Sequence, residues 1–318
     1  MKTQLSAKSI LAGVGLLTVL FLISCNGGAG NQEVDTPVSG KSKVGIDDSY
    51  RLLMDAELFA FGTFYPRAHV DTLYKSEADV LQDFLNDSVP LIVVSRKLTA
   101  EQVQFLNAHQ YVPKTTKIAY DAVALIVNKE NPDTSLYYQK VKEIFQGKIT
   151  KWTQINPKTK LTNLIVVFDN YKSSNPRYFR EKFGIDSLPK SCFAVRTNSE
   201  VINFVEHNKS AIGIISVNWI SDREDTVSNN FLNKIKVVGV AIEGDNEPGT
   251  KFYRPYQAYI AEQSYPFTRE VYCINRQPYR GLAYGLSSFI AGEKGQRIIL
   301  RSGMVPAAMP VRIVEIKH

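Results

Sequence analysis

The sequence predicts an α/β fold with largely parallel sheets, and three features of it carry that prediction. Apolar runs short enough for strands alternate with segments of helical periodicity. Two runs, residues 90–94 and 164–168, are continuously apolar, as in strands covered on both faces. Cap residues punctuate the helices, from Thr99 paired with Gln102 to a closing Gly184. Strand–helix repetition of this kind argues for βαβ units.

The elements follow in order. Residues 43–46 read as a short strand, and Asp47-Asp48-Ser49 opens a helix-like segment carrying Leu52, Leu53, Leu58 and Phe59. Residues 68–73 alternate as a second strand would, and Glu77–Leu85 places Val80, Leu81 and Phe84 at helical spacing. The strand at 90–94 leads to the Thr99 cap and a helix with Val103, Phe105 and Leu106. Residues 118–127 form another apolar strand, ended by Asn131-Pro132, and 141–145 fit a helix. The strand at 164–168 precedes a helix over 176–183, and residues 211–217 and 235–242 supply further strands.

Composition bounds the function. The 318 residues suggest about two domains. A chain that is 44% hydrophobic and 22% charged is not mainly disordered, and three cysteines do not build a disulfide scaffold. The formal charge of +7 invites a nucleic-acid reading. Part of that charge sits in the first residues, where Lys2 and Lys8 precede an uncharged stretch over 10–23. A membrane span needs about 20 apolar residues, so this stretch is too short, but it suits a signal-peptide core. It ends in Leu22-Ile23-Ser24-Cys25, which resembles the lipobox of bacterial lipoproteins. That resemblance implies a signal peptide over 1–24, cleavage before Cys25 and acylation of Cys25. Losing Lys2 and Lys8 lowers the charge by two, and the remaining surplus is spread along the chain, which leaves no nucleic-acid partner indicated. Residues 25–42, polar and rich in Gly and Ser, read as a flexible tether. Of the other cysteines, Cys192 and Cys273 fall in different segments and read as two buried free thiols.

Three strand ends share one chemistry. Ligands of open α/β sheets bind beyond the carboxyl ends of strands, where helix N-termini offer unpaired N–H groups to anions. The first strand ends in Asp48-Ser49-Tyr50, the next buried strand in Ser95-Arg96, and the third leads to Lys172-Ser173-Ser174-Asn175-Pro176. Taken singly, each hydroxyl is a helix cap and each cation a solvated side chain. Three matching sites in one chain argue for convergence on one cleft, where hydroxyl and N–H donors with an arginine suit a buried tetrahedral oxyanion.

At this point a family resemblance emerges. Ile118-Ala119-Tyr120-Asp121-Ala122-Val123-Ala124-Leu125-Ile126-Val127-Asn128 resembles the crossing strand of phosphate-binding proteins, as does Ile144-Phe145-Gln146-Gly147-Lys148-Ile149-Thr150-Lys151-Trp152. Ala211-Ile212-Gly213-Ile214-Ile215, Tyr265-Pro266-Phe267-Thr268-Arg269, and the C-terminal Phe289-Ile290-Ala291-Gly292, Gly295-Gln296 and Gly303-Met304-Val305-Pro306 complete the pattern. Over roughly residues 43–312 the chain is similar to the PstS family, the substrate-binding lipoproteins of phosphate ABC transporters. The resemblance implies a two-lobed periplasmic-binding-protein type II fold with a two-stranded hinge. Residues 43–118 and 255–318 would form lobe 1 and 119–254 lobe 2, with crossings at 118–122 and near 252–261. It also implies phosphate binding at Asp48, Ser49, Tyr50, Ser95, Arg96, Lys172, Ser173, Ser174 and Asn175. An ABC permease partner, a monomeric state, no cofactor and no catalysis follow from the same family.

The chain departs from the family at the chemistry. The Ser-Gly-Thr loop has become Ser173-Ser174-Asn175, and Tyr171-Lys172 stand where the family carries an arginine, with Arg177 just after. Lysine is a point charge and does not replace a planar fork. Asp48 and Asp121 are the candidates for the family aspartate that accepts a phosphate proton. Sulfate-like anions, phosphorylated metabolites and a ligand-free surface or sensor lipoprotein stay open beside phosphate. Enzyme motifs are missing: Gly147-Lys148 lacks the frame of a P-loop, there is no G-x-S-x-G, and the four histidines show no metal spacing. Trp152 and Trp219 read as core.

Overall fold

One strand belongs to both halves of the main sheet. The computed structural model describes residues 35–221 and 232–308, so Cys25 and the signal over 1–24 lie outside the described residues. The strands are β1 (Gly40–Asp47), β2 (Ala68–Lys75), β3 (Leu91–Val94), β4 (Lys114–Asn128), β5 (Ser135–Leu136), β6 (Ile165–Phe168) and β7 (Cys192–Ala194), followed by β8 (Ala211–Ser216), β9 (Ile235–Val237), β10 (Gly239–Ala241), β11 (Phe252–Tyr253), β12 (Thr268–Asn275) and β13 (Val305–Pro306). The helices are α1 (Arg51–Phe64), α2 (Glu77–Leu85), α3 (Ala100–Ala108), α4 (Tyr138–Phe145), α5 (Ser174–Phe183), α6 (Asn198–His207), α7 (Gln257–Ala261), α8 (Leu282–Ala291) and α9 (Glu293–Arg301).

The sheet order is β2-β1-β3-β12-β4-β8-β6-β7, with β9 and β13 also on β4. Strand β4 pairs antiparallel with β12 over residues 114–122, then with β8 and β9 over 123–128. Its length explains the sharing: fifteen residues at about 3.3 Å each reach well beyond an average strand. On each side lie parallel pairs, β1 with β2 and β3, and β6 with β7 and β8. Their helices cover the faces, which is why β3 is buried at every residue.

Local signals set the helices. The side chain of Ser76 caps α2 by accepting from Asp79 N at 3.4 Å. Thr99 and Gln102 form the reciprocal box that opens α3. Helix α5 closes on Gly184 at φ 62, a left-handed position that favours glycine. Ring stacking of Phe145 on Phe179 and Phe183 on Phe179, with Phe267 edge-on, fills the core under α4 and α5.

Three features differ from the sequence reading. Residues 252–261, expected as the second crossing, form the two-residue β11 and the short α7, and the antiparallel companion of β4 is β12 instead. Arg269 and Glu270 interrupt the apolar pattern of β12 and hide it as a strand. Residues 235–242 split at Val238, because β9 pairs with β4 while β10 pairs with β5 and β11. The fold also begins before residue 43. Asp35 accepts from Leu282 N (2.7 Å), Tyr279 Oη (2.8 Å) and Gln277 Nε2 (2.9 Å). The chain then presses against α8 so closely that a Cβ on Gly285 would stand 1.7 Å from Pro37 O. Cys192 and Cys273 are both free and buried, and burial pushes each thiol up to about 12. No helix among the described residues is long and apolar enough to cross a membrane.

Candidate functional site

Polar groups gather where the carboxyl ends of β1, β3, β6 and β8 meet helix starts. Strand β1 ends in buried Asp47, whose Oδ1 accepts from Ser49 N (3.2 Å) and fixes the short 3-10 turn Asp48–Tyr50. Strand β6 delivers buried Asp169, which accepts from Ser173 Oγ (2.7 Å) and Asn175 Nδ2 (3.1 Å) at the start of α5. Strand β3 ends in Ser95, facing Glu77 in the first turn of α2. Ser216 ends β8 and Asn218 follows it, and from β4 and β12 come Asp121 and Arg269.

These loops bond across the space between them. Ser49 Oγ and Ser174 Oγ are 3.2 Å apart, and Asn198 Nδ2 donates to Asp48 Oδ2 at 3.2 Å. Asn218 Nδ2 and Trp219 Nε1 both donate to Ser49 O, at 2.8 and 3.0 Å. Trp219 is thus buried as expected, but as a wall of this site. Trp152, also buried, donates to Ser210 O instead.

Two arginines dominate the electrostatics. Arg269, 7% exposed, donates through Nε to Asp121 Oδ2 (2.8 Å), while Asp121 Oδ1 accepts from Ser216 Oγ (2.8 Å). Burial opposes the Arg269 charge, yet Tyr50, Asp121 and Asp47 outweigh it and hold the guanidinium above its ordinary value. Its Nη1 and Nη2 nevertheless have no hydrogen-bond partner among the described residues. The same is true of Asp47 Oδ2, Tyr50 Oη, Asn175 Oδ1 and Asn218 Oδ1. Arg177 differs, bonding Glu77 and Ser95 with one side of its fork and Glu181 with the other.

The carboxyls are tuned apart. Burial, then repulsion from Glu77 and Asp169, pushes Asp47 up to about 8, so it carries a proton at neutral pH. Burial raises Asp169 to about 6 despite the bonds from Ser173 and Asn175. Burial also works against the charge of Glu77, but Arg177 and Ser95 outweigh it and hold that carboxyl below its ordinary value. Among the described residues no group of three or more His, Cys, Asp or Glu could hold a metal ion.

Of the residues expected from the sequence, Asp48, Ser49, Tyr50, Ser95, Ser173, Ser174 and Asn175 are all buried at this junction. The hydroxyls of Ser95 and Ser173 donate to Glu77 and Asp169. Arg96 turns to Gln102 Oε1 (3.3 Å) and Lys97 O (3.2 Å), bracing α3. Lys172 is 64% exposed and pairs with Asp79 at 2.9 Å on the surface. Asp121, a candidate proton acceptor, is engaged by Arg269 and Ser216. Sequence reasoning passed over Asp47, Glu77, Asp169, Asn218 and the role of Arg269. Asp47 and Asp169 were visible as carboxylates directly at the ends of strands; Arg269 had no local signal.

The family model of the PBP superfamily domain matches residues 31–294. The chain belongs to the PBP superfamily. Among its relatives in this superfamily, the phosphate-binding protein PstS of Staphylococcus aureus is 24% identical over 248 residues, which cover 78% of this chain and 70% of that one. A solved phosphate ABC transporter substrate-binding protein from Clostridium perfringens, described as putative and with bound phosphate, superposes with a TM-score of 0.71 at 22% identity. The match covers 84% of this PBP-superfamily chain and 100% of the other. An ABC-type phosphate transport receptor from Vibrio cholerae gives 0.62 at 20% identity, with 84% and 100% covered. The expected α/β fold is therefore that of the two-lobed periplasmic binding proteins.

Proposed function

We propose that this chain is an extracytoplasmic solute-binding protein that captures inorganic phosphate between its lobes and hands it to an ABC permease. The observation that carries the reading is the Arg269 guanidinium, buried with both terminal nitrogens unpartnered. Buried donors are almost always bonded, so unbonded charged ones imply a ligand acceptor. Tyr50 Oη and the protonated Asp47 Oδ2 add two donors, while Asn175 Oδ1 and Asn218 Oδ1 are acceptors that require hydrogens on the ligand. A protonated phosphate meets both needs; sulfate at neutral pH has no hydrogen to offer. The relatives named for phosphate support the same ligand.

In this reading Ser49, Tyr50, Ser174 and Asn175 face the ligand with Arg269, Asp47 and Asn218. Asp48, Ser95 and Ser173 support that shell, while Arg96 and Lys172 stand outside it, Arg96 bracing α3 and Lys172 pairing with Asp79 on the surface. Residues 43–118 and 255–318 close against 119–254, with β4 as one crossing between them. No bond is broken, the protein acts as a monomer, and acylated Cys25 holds it at a membrane. The inward bonds of Ser95 and Ser173 favour one alternative, a surface or sensor lipoprotein that has lost its solute. Calorimetric titration with phosphate and with sulfate separates the two. Micromolar or tighter binding of phosphate without a sulfate response is expected; equal responses, or none to either anion, overturn the reading.

A further inference from the structure

Glu77 stands where an oxyanion would be expected. Its carboxylate receives four bonds: Ser95 N and Ser95 Oγ at 2.8 Å each, Arg177 Nη2 at 3.2 Å, and Arg177 Nε. One N–H, one hydroxyl and a guanidinium fork are the donors used to bind phosphate or sulfate. Arg177 Nη2 also reaches Ser95 Oγ at 2.7 Å, so the pocket is preassembled around its occupant. Glu77 is 2% exposed. It belongs to α2, whereas Arg177 lies a hundred residues on in α5, so the pair ties two separate helix starts together.

We propose that Glu77 is a specificity-determining residue: its carboxylate permanently fills a second oxyanion pocket formed by Ser95 and Arg177. The incoming solute is thereby confined to the Arg269 side of the cleft, where donors remain. With Arg177 neutralising that carboxylate, the occupied pocket offers an incoming anion no free donor. The preference for phosphate thus rests on the proposed function, but the occupied pocket does not.

The test is the thermal shift of the full-length protein in detergent with sulfate, read as the difference between each variant and wild type. Wild type is expected to show no sulfate shift. Glu77→Ala empties the second pocket and should acquire a sulfate-dependent rise in Tm, which the double variant Glu77→Ala with Arg177→Met loses. Glu77→Ser, whose short side chain also leaves the pocket open, is the companion should Glu77→Ala not unfold cooperatively; it too should gain a sulfate response. A sulfate response in neither variant, or one unchanged by loss of Arg177, overturns the proposal. Wild-type phosphate binding is read separately and bears only on the proposed function.

Discussion

Arg269 and Arg177 make an instructive pair. Both reach the same junction, and each meets a buried carboxylate, Asp121 in one case and Glu77 in the other. Arg269 spends only Nε on its partner and leaves two nitrogens unbonded, whereas Arg177 uses its whole fork on Glu77, Ser95 and Glu181. The difference lies in the surroundings. Asp121 offers Arg269 one oxygen, Oδ2, and turns the other to Ser216 Oγ and Val217 N, while Glu77 offers Arg177 both of its oxygens. A residual donor marks where a solute can bind; a saturated one marks where the chain holds itself together.

The largest effect expected from breaking this contrast comes from Arg269→Met. It should abolish phosphate binding and leave Asp121 buried without its cation, lowering stability by about 3–5 kcal/mol. Urea unfolding with calorimetry measures both, and retained phosphate affinity would contradict the assignment of Arg269 as the ligand donor.

An intermediate effect is expected at Glu57, which lies away from both arginines and is buried with neither oxygen bonded. Burial pushes it up to about 8, above its unfolded value of about 4.3. The folded state therefore holds a proton that the unfolded state has released. The stability this contributes is complete below about pH 4 and is lost as pH rises toward about 8. Asp47, raised for the same first reason, acts in the same direction. Glu57→Gln should flatten part of the decline in unfolding free energy between about pH 5 and about pH 8, and an unchanged slope would rule this out.

The smallest effect belongs to Lys172→Ala. Its pair with Asp79 is exposed on both sides, and such pairs are worth about 0–1 kcal/mol. Phosphate affinity should not change; a clear loss would move Lys172 back among the ligand contacts.

Much of the fold was legible because its signals are local. Glu77–Leu85 appears with the bounds its periodicity indicated, and the Thr99 cap and Gly184 stop behave as their residue types require. Strand β12 was missed because Arg269 and Glu270 make it look polar, although Arg269 Nε is paired with a carboxylate 148 positions away. The site was legible as places but not as roles. Hydroxyls at the three loops do converge, yet whether a hydroxyl faces a ligand or an internal carboxylate depends on Glu77 and Asp169. Those contacts exist only after the strands are laid side by side, and no spacing in the sequence encodes them.

The grip of Asp35 on the start of α8 has a mechanical consequence. Because the body is fastened from Asp35 onward, only ten steps along the chain, across residues 26–34, lead from it to Cys25. At no more than about 3.6 Å per residue, an anchor at Cys25 would keep the attachment point within about 36 Å of the lipid. The protein would then patrol a thin layer above the bilayer rather than the whole compartment. A membrane-embedded receiver would meet it at a high local concentration.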